Sequence, residues 1–586
     1  MSEAPEHVLK LRATLPPPLA ALIMRCLEKL AADRPQSAAE IIHTLDAITT
    51  PSGGSEPTSA QKSVSTAGRS PLAAGASRSR IGTAVAAIAV LAVAVWAVGR
   101  MRSAGTTATE SSRSVAVLPL VNSDTSSDYL ALGVADDIRI RLVATGLNVT
   151  SSSSSRRYSG KEVDVKTVGE SLKVAYVVQG EMRTSPGGIR LNIELVRTAD
   201  GFSTWAESFV IEKQELPALP DSIARAISEA LGATATGDAR RSVAADTRNA
   251  QAYHFYLGAK YLFEQRGEAS LRRAIALFER AIGLDSNFAR AHAGRAMALG
   301  ALPTWSALRA DSLIRLAREA AERAIALDSM LAEAYTARGF LSFWWPPRRW
   351  NEAERDLRHA VRIDSQYGAA HKALGQLLIG TGNLVAAESA LTRATELDPA
   401  LFHVWSTLGL YYFVARQDSA ARVAYDRALE LDPSRSWDDI NAQRHASAGR
   451  PQEALAALAK LPDSDSSARS LGLRAYVLAK ADRVSAARVL AELLTARART
   501  EPGLVLVTSM KGHAEAAAWA HLGLEDLDKA MEWLITAARR GEFMSPAAPD
   551  FDPIRTHRRY PELLRLLGLH DQPIAQWKGR APEVRR

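Results

Sequence analysis

The sequence predicts a multidomain, α-rich protein in which a small α/β domain precedes an α–α superhelix, with one transmembrane helix ahead of both. Three observations predict this architecture. From about residue 250 the chain repeats a helical pattern at a period close to 34 residues. Residues 113–232 mix strand-like and helix-like apolar spacing. Residues 81–99 form an apolar run without charge.

The composition is ordinary for a globular protein and excludes several other classes. The 586 residues include 47% hydrophobic and 23% charged side chains, which excludes a mainly disordered chain. One cysteine, Cys26, excludes an intramolecular disulfide framework and a thiolate zinc cluster. The net charge of +8 is spread over helical stretches in which Lys and Arg alternate with Glu and Asp. We therefore expect no nucleic-acid partner.

The first 49 residues contain recognisable motifs but are too few for a domain. These motifs are Leu15-Pro-Pro-Pro-Leu19, Ile23-Met-Arg-Cys-Leu-Glu-Lys29 and Ala32-Asp-Arg-Pro-Gln-Ser37. They resemble the last helices of a bacterial serine/threonine protein kinase, which implies a carboxy-terminal-lobe remnant over residues 1–49. The sequence lacks the Gly-rich loop, the strand lysine, the His-Arg-Asp loop and the Asp-Phe-Gly motif of phosphoryl transfer. We predict that this chain is not an enzyme and has no catalytic residue, unless a kinase domain is encoded upstream.

A membrane anchor is predicted between two linkers. Residues 50–80 are rich in Ser, Gly, Pro and Thr, and this composition predicts a flexible linker. The run Ile81–Gly99 that follows would reach about 28 Å as a helix, one hydrocarbon thickness. We predict a transmembrane helix over 81–100, in contact with the lipid bilayer, and a second linker over 101–112. Arginines flank the run on both sides, so charge leaves its direction open, and a buried Ala-rich core helix is the alternative.

Residues 113–235 are predicted to fold as the small α/β domain. The later strands alternate apolar and polar side chains, as half-buried antiparallel strands do. The serines at 151–155 are interpreted as a loop. The predicted strands cover 114–120, 147–150, 174–180, 188–196 and 202–211, and the predicted helices cover 129–144, 163–172 and 221–231.

Three segments of this domain suggest a family. They are Val115-Ala-Val-Leu-Pro-Leu120, Tyr176-Val-Val-Gln-Gly180 and Trp205-Ala-Glu207. They resemble the TolB-like amino-terminal domain that follows the membrane helix in many bacterial receptor-type kinases. The resemblance implies the order kinase, linker, membrane helix, α/β domain and repeats. It also implies a single-pass protein of the bacterial inner membrane, with a cytoplasmic N-terminus and a periplasmic C-terminal region.

The repeat is defined by columns of equivalent residues over five units. A small residue anchors each unit: Gly258, Ala296, Gly339, Gly375 and Gly409. Four positions earlier stand His254, His292, Tyr335, His371 and Trp405. An alanine follows at 281, 324, 360, 394 and 428, and each unit ends in an aspartate at 285, 328, 364, 398 or 432. Small residues let two helices approach closely, and the Ser or Pro after the aspartate is expected to cap or end a helix.

These columns resemble the tetratricopeptide repeat family. Trp405, Leu408-Gly409, Tyr412, Ala421, Tyr425, Ala428 and Pro433 match its consensus within one unit. The resemblance implies repeats over 249–541, followed by a C-terminal tail over 542–586. The column histidines are interpreted as packing residues rather than metal ligands, so we predict no metal site and no cofactor.

The function that follows is protein binding. A solenoid of this family binds partners on its concave surface, which the first helix of each unit lines. Counting along the units predicts a candidate groove for a protein or peptide partner: Thr336, Phe340, Lys372, Gln376, Ser406 and Leu410. We predict a membrane-anchored, non-catalytic interaction or sensor module whose repeats face the periplasm. The alternative is an N-terminally truncated fragment of a receptor serine/threonine protein kinase.

Overall fold

The structure is a computed structural model of the chain. It describes residues 113–122, 128–158, 164–185, 187–233, 247–265, 267–306, 310–433, 436–462, 464–500, 512–542 and 545–577, together with Ala21, Met24 and Arg25. The chain divides into two units, 1–91 and 92–586, and the elements below belong to the second. Apart from those three residues, the predicted kinase-like remnant lies outside the described residues, as do both linkers and the predicted transmembrane helix.

An α/β region comes first. Its strands are β1 (Ser114–Val117), β2 (Val121–Asn122), β3 (Asn148–Val149), β4 (Tyr176–Ser185), β5 (Gly188–Arg197) and β6 (Ser203–Ile211). Its helices are α1 (Asp128–Ala144), α2 (Ser152–Arg156), α3 (Val165–Leu172) and α4 (Leu219–Ala230), with a 3-10 turn at Lys213–Ala218. Every predicted strand and helix of this region is found, with ends shifted by a few residues. The serine run is a difference, because most of it forms α2, which Ser151 caps at its N-terminus.

The six strands form one mixed sheet in the order β3-β1-β4-β5-β6, with β2 also paired to β4. β1 is parallel to β3 and β4, whereas β4, β5 and β6 are antiparallel neighbours. β1 and β2 both pair with β4, and they are separated at Pro119, which has no N–H to donate to a ladder. One face of the sheet packs against α1 and α4, and α3 covers the other face near β1.

The rest of the described chain is helical. Its helices are α5 (Ala250–Gln265), α6 (Glu268–Leu284), α7 (Ala289–Ala301), α8 (Ala310–Leu327), α9 (Ala332–Trp344), α10 (Trp350–Ile363), α11 (Gly368–Thr381), α12 (Leu384–Leu397), α13 (Phe402–Val414), α14 (Asp418–Leu431), α15 (Asp438–Ser447), α16 (Pro451–Leu458), α17 (Ala468–Lys480), α18 (Val484–Thr500), α19 (His513–Gly523), α20 (Leu527–Arg539) and α21 (Tyr560–Leu567), with 3-10 turns at Leu302–Thr304, Pro549–Thr556 and Pro573–Gln576. Consecutive helices pack against each other from α5 to α14 and again from α15 to α20. This is the predicted tetratricopeptide-type solenoid.

The residue columns explain the packing within each pair. A Cβ placed on Gly409 would lie 2.8 Å from the ring of Tyr425, so the first helix can approach the second this closely only with glycine there. Gly375 stands in the same relation to Leu391. The alanines of the second-helix column are fully buried. The small-residue columns therefore act as the sequence predicted, as close-approach positions between paired helices.

The turn between units differs from the prediction in its chemistry. The column aspartate itself caps the turn: a carboxylate oxygen of Asp285 accepts from the N–H of Asn287 at 3.0 Å, and Asp364 accepts likewise from Gln366 at 2.8 Å. The serine after the aspartate does not cap the next helix, because Phe288 and Tyr367 occupy the N-cap positions without a side-chain bond. The short Asp side chain reaches the N–H two residues ahead, which places the turn before the helix starts.

The predicted localisation, a single-pass protein of the bacterial inner membrane, is corrected by the structure. Within the part of the chain that the structure describes, no helix is both long enough and apolar enough to cross a bilayer. The longer helices, such as α8, carry charged side chains along one face, which is typical of a helix with one solvent-exposed face. The segment 81–100, from which membrane contact was predicted, lies outside the described residues.

Candidate functional site

The candidate groove lies on three consecutive first helices. Thr336 and Phe340 lie on α9, Lys372 and Gln376 on α11, and Ser406 and Leu410 on α13. The two members of each pair are four residues apart, so they share one face of their helix. The structure thus places the six residues as three successive pairs at equivalent positions.

The six residues differ in how far they reach the surface. Leu410 is 40% exposed, while Phe340 is half-buried and stacks on Trp344 with 5.3 Å between ring centroids. Thr336 is only 2% exposed, and its hydroxyl donates to the carbonyl of Ala332 at 2.9 Å. Oε1 of Gln376 is buried and accepts no hydrogen bond within the described residues. Leu410 therefore presents apolar surface to solvent, whereas Thr336 is enclosed.

The C-terminal segment 545–577 packs against the repeats that begin with α9, α11 and α13. We call the six candidate residues on these three helices the row. Trp350 Nε1 donates to the carbonyl of Leu567 at 2.7 Å, and Ser545 Oγ donates to the carbonyl of Gly380 at 2.6 Å. A Cβ added to Gly382 would lie 2.8 Å from Ile574. Leu563, Leu569 and Ile574 are fully buried in the largest apolar cluster of the solenoid. This segment is part of the folded solenoid and covers one edge of the row.

One carboxylate fixes the segment to the later repeats. Asp550 is 3% exposed and accepts hydrogen bonds from Gln443 and Ser447 of α15 and, at 3.1 Å, from Nε1 of Trp519 on α19. Asp552 forms an ion pair with Arg416, in the turn after α13. These bonds join elements that lie far apart in the sequence.

The start of the solenoid is joined to the α/β region by buried charges. Asp137 of α1 is fully buried and accepts from Tyr253 of α5 at 2.5 Å and from Arg290 of α7 at 2.5 and 3.0 Å. Its neighbour Asp136 forms an ion pair with Lys260 of α5. Apolar groups from both parts complete this junction in one shared core.

The charges at this junction shift one another's pKa values. Burial alone would raise the pKa of Asp137, but the positive charges of Arg290 and Arg141 lower it to about 2. Burial would lower the pKa of Lys260, but the carboxylate of Asp136 raises it. Both groups are therefore held in their charged forms.

Two of the column histidines, His292 and His371, have a structural role at the start of their helices. Nε2 of His292 donates to the carbonyl of Ser286 at 3.1 Å, and Nε2 of His371 donates to Ser365 at 3.1 Å. Trp405 makes the equivalent bond from Nε1 to Pro399 at 2.9 Å. Each bond ties the first helix to the turn six residues earlier. In the described segments no group of His, Cys, Asp or Glu is arranged to hold a metal ion.

Sequence reasoning did not identify the junction or the C-terminal contacts. A signal for the junction is present: Asp137 and Arg141 follow Val134 by three and seven positions, on the apolar face of α1. A charge on a buried helix face requires a partner. The partners lie on α5 and α7, far from α1 in the sequence, so no local sequence pattern identifies them.

Comparisons with known proteins give matches to parts of the chain. Residues 111–226 match the family described as HilA/YgeH-like transcriptional regulator, second domain. A protein of Rhizobium meliloti (strain 1021) named putative adenylate cyclase 3 is 30% identical over 184 residues, which is 31% of this chain and 31% of that protein. The chain thus spans about a third of the length of the curated relative it matches.

Solved structures similar to the chain are repeat proteins. A thermophilic TPR protein of Thermus thermophilus is 20% identical, with a TM-score of 0.27, and the match covers 31% of this chain and 92% of that one. PilW, a type IV pilus biogenesis factor, is 15% identical with a TM-score of 0.27, over 44% of this chain and 96% of that one. Yeast Tom70 is 16% identical with a TM-score of 0.32, over 55% and 66% respectively. These similarities concern the fold alone.

Proposed function

We propose that the solenoid is a non-catalytic protein-binding module that holds an extended peptide segment of a partner along α9, α11 and α13. The observation that carries the proposal is the exposed side chain of Leu410. It is 40% exposed on a first helix, at the position equivalent to Gln376 and Phe340 in the two preceding units. In a solenoid, equivalent positions along successive first helices form the surface that binds a partner, and Leu410 supplies apolar area at such a position.

The chemistry of the row suggests the kind of segment it takes. Lys372 supplies a positive charge, Ser406 a hydroxyl, and Leu410 and Phe340 apolar surface. A segment with a carboxylate one or two residues from a large apolar side chain would complement this row. The C-terminal segment 545–577 covers one edge of the row, at the ends of α11 and α13, so the partner would approach from the opposite edge.

The test is selection of peptides from a random display library on the full chain, followed by affinity measurement of the enriched peptides. Leu410→Asp should weaken binding by about tenfold or more, because it removes apolar contact and repels a carboxylate. The matched control is Val423→Asp, since Val423 is 59% exposed on α14, a second helix. Equal loss in both variants, or no loss in Leu410→Asp, would reject this row as the binding site.

A second candidate is a regulatory region of a longer signalling enzyme. The motifs within residues 15–37 suggest a receptor serine/threonine kinase, and the match to a protein named as an adenylate cyclase suggests attachment to a catalytic region. The DNA upstream of Met1 tests it: an in-frame kinase or cyclase supports this candidate, and an unrelated sequence removes it. In either case this chain, incubated with ATP, should transfer no phosphate.

A further inference from the structure

A second concave site lies away from the candidate groove. It is a cleft of about 210 Å³ between α8 and α10, with α9 beneath it. Arg338 and Ser342 of α9 line it, two positions beyond Thr336 and Phe340. Two positions turn the helix by about 200°, so the cleft and the groove lie on opposite faces of α9. The volume is far above the ~10–15 Å³ that admits a single water.

Arg318 of α8 is a half-buried cation that lines the cleft. Its Nη2 donates to the carbonyls of Leu341 at 3.4 Å and Trp345 at 3.2 Å, both neutral acceptors. Burial, followed by the positive charge of Arg349, lowers the pKa of Arg318, while the carboxylates of Glu322 and Glu352 act in the opposite direction. A guanidinium has five N–H groups, and the structure assigns acceptors to one nitrogen only. Arg318 therefore keeps donors available for a ligand.

Ser342 lines the same cleft. Its residue is 5% exposed, and its hydroxyl makes no hydrogen bond to any residue in the described part of the chain. A hydroxyl that opens onto a cleft and has no protein partner is suited to a bound ligand or water.

The charges of the cleft leave an excess of cationic donors. Arg338 and Asp356 satisfy each other through two bonds of 2.7 and 2.9 Å, and the exposed Arg349 lies 3.3 Å from Glu352. Arg355 lines the cleft, is exposed, and has no hydrogen-bond or ion-pair partner among the described residues. Counting all its members, the cleft holds four arginines and three carboxylates. An anion would neutralise the remaining positive charge.

We propose that this cleft binds a small tetrahedral oxyanion of the phosphate class, held by Arg318 and Ser342 below and by Arg349 and Arg355 at the rim. Guanidinium groups match the geometry of such oxyanions with paired N–H donors, and a serine hydroxyl supplies another donor. The source is either free phosphate or the phosphate group of a small phosphomonoester. The site is independent of the peptide-binding row, since the two use opposite faces of α9.

The test is titration of the full chain with inorganic phosphate at constant ionic strength, followed by calorimetry and by thermal unfolding. Arg355→Gln and Ser342→Ala should each weaken phosphate binding, with Arg355→Gln losing about tenfold for one charge-assisted hydrogen bond. The matched control is Arg358→Gln, because Arg358 is exposed on the same helix, pairs with Glu354 and lies outside the cleft. It should bind phosphate as the unmodified chain does.

Further ligands separate the possible sources. Tighter binding of O-phosphoserine than of phosphate supports a phosphomonoester, and equal binding supports free phosphate. Acetate binding as tightly as phosphate would overturn the phosphate class. The proposal would also be overturned by absence of saturable phosphate binding, or by equal binding in Arg355→Gln and Arg358→Gln. Arg318→Gln is a less specific test of phosphate binding, because Arg318 also donates hydrogen bonds to two carbonyls at the end of α9.

Discussion

Asp137 is fully buried between α1, α5 and α7, where it accepts hydrogen bonds from Tyr253 and Arg290. Removing one partner of a buried ion pair leaves the other charge uncompensated, which costs about 3–5 kcal/mol. We predict a loss of this size in the free energy of unfolding of Asp137→Ala, measured by urea denaturation. Asp200→Ala is the control, because Asp200 pairs with Arg197 at the surface and should cost less than about 1 kcal/mol. Equal losses would contradict the junction's role.

The carboxylate of Asp137 also predicts how the stability of the protein changes at acidic pH. The folded-state pKa of Asp137 is about 2, below the unfolded value of about 3.9. The unfolded chain therefore binds the proton first as pH falls, and stability declines between about pH 4 and pH 2. We expect the unfolding free energy of Asp137→Asn to decline less over this window than that of the unmodified chain. Identical slopes in the two proteins would contradict the assignment.

His371 predicts a second pH dependence of stability, at higher pH than that of Asp137. Burial lowers its pKa below the ordinary value, and its neutral ring donates to Ser365. Because the unfolded chain takes up the proton first, this contribution is present above about pH 6.5 and is lost as pH falls through the folded-state pKa. His371→Gln should lose less stability between about pH 7.5 and pH 5 in thermal unfolding. Equal pH slopes in His371→Gln and in the unmodified chain would contradict this assignment.

At the scale of elements, the hydrogen bond between Trp350 and Leu567 attaches α21 to the start of α10. Trp350→Phe keeps an aromatic ring but removes the donor, and we expect a loss of about 1 kcal/mol together with the packing lost with the smaller ring. Hydrogen exchange of residues 560–567 should increase. The control is Trp437→Phe, because Nε1 of Trp437 is buried without a partner in the described segments. A cost in Trp437→Phe as large as that in Trp350→Phe would show that ring volume, not the hydrogen bond, matters.

At the scale of the whole molecule, the α/β region and the first repeat share one apolar core. A Cβ on Gly133 would lie 2.7 Å from Leu257, and Tyr253 is fully buried against α1. A fragment of residues 113–233 would expose this surface, whereas 113–301 keeps α5, α6 and α7, and with them Arg290. We predict that 113–301 unfolds cooperatively and that 113–233 binds a hydrophobic dye and melts at lower temperature, measured by fluorescence and circular dichroism. Equal melting temperatures would show that the two parts fold independently.

Periodicity accounts for how much of the fold was predictable. The elements of the α/β region and the pairing of helices follow from apolar spacing and from columns such as Gly409 and Ala428, because these express packing between neighbours in sequence. The groove positions on α9, α11 and α13 also follow by counting. The exposure of these residues does not follow from counting, because it depends on which distant elements cover each helix. Thr336 is enclosed, whereas Leu410 is exposed.

The sequence by itself determined the repeat, the order of the α/β elements and the placement of the six candidate residues on first helices, because each is a local pattern of side-chain size and spacing. Only the tertiary structure decided that Asp137 joins α1 to the first repeats and that Asp550 ties the C-terminal segment to α15 and α19. It also decided that Arg318 and Ser342 share a cleft. A hydrogen bond or ion pair depends on distance in space, and partners far apart in the sequence leave no periodic trace in the chain.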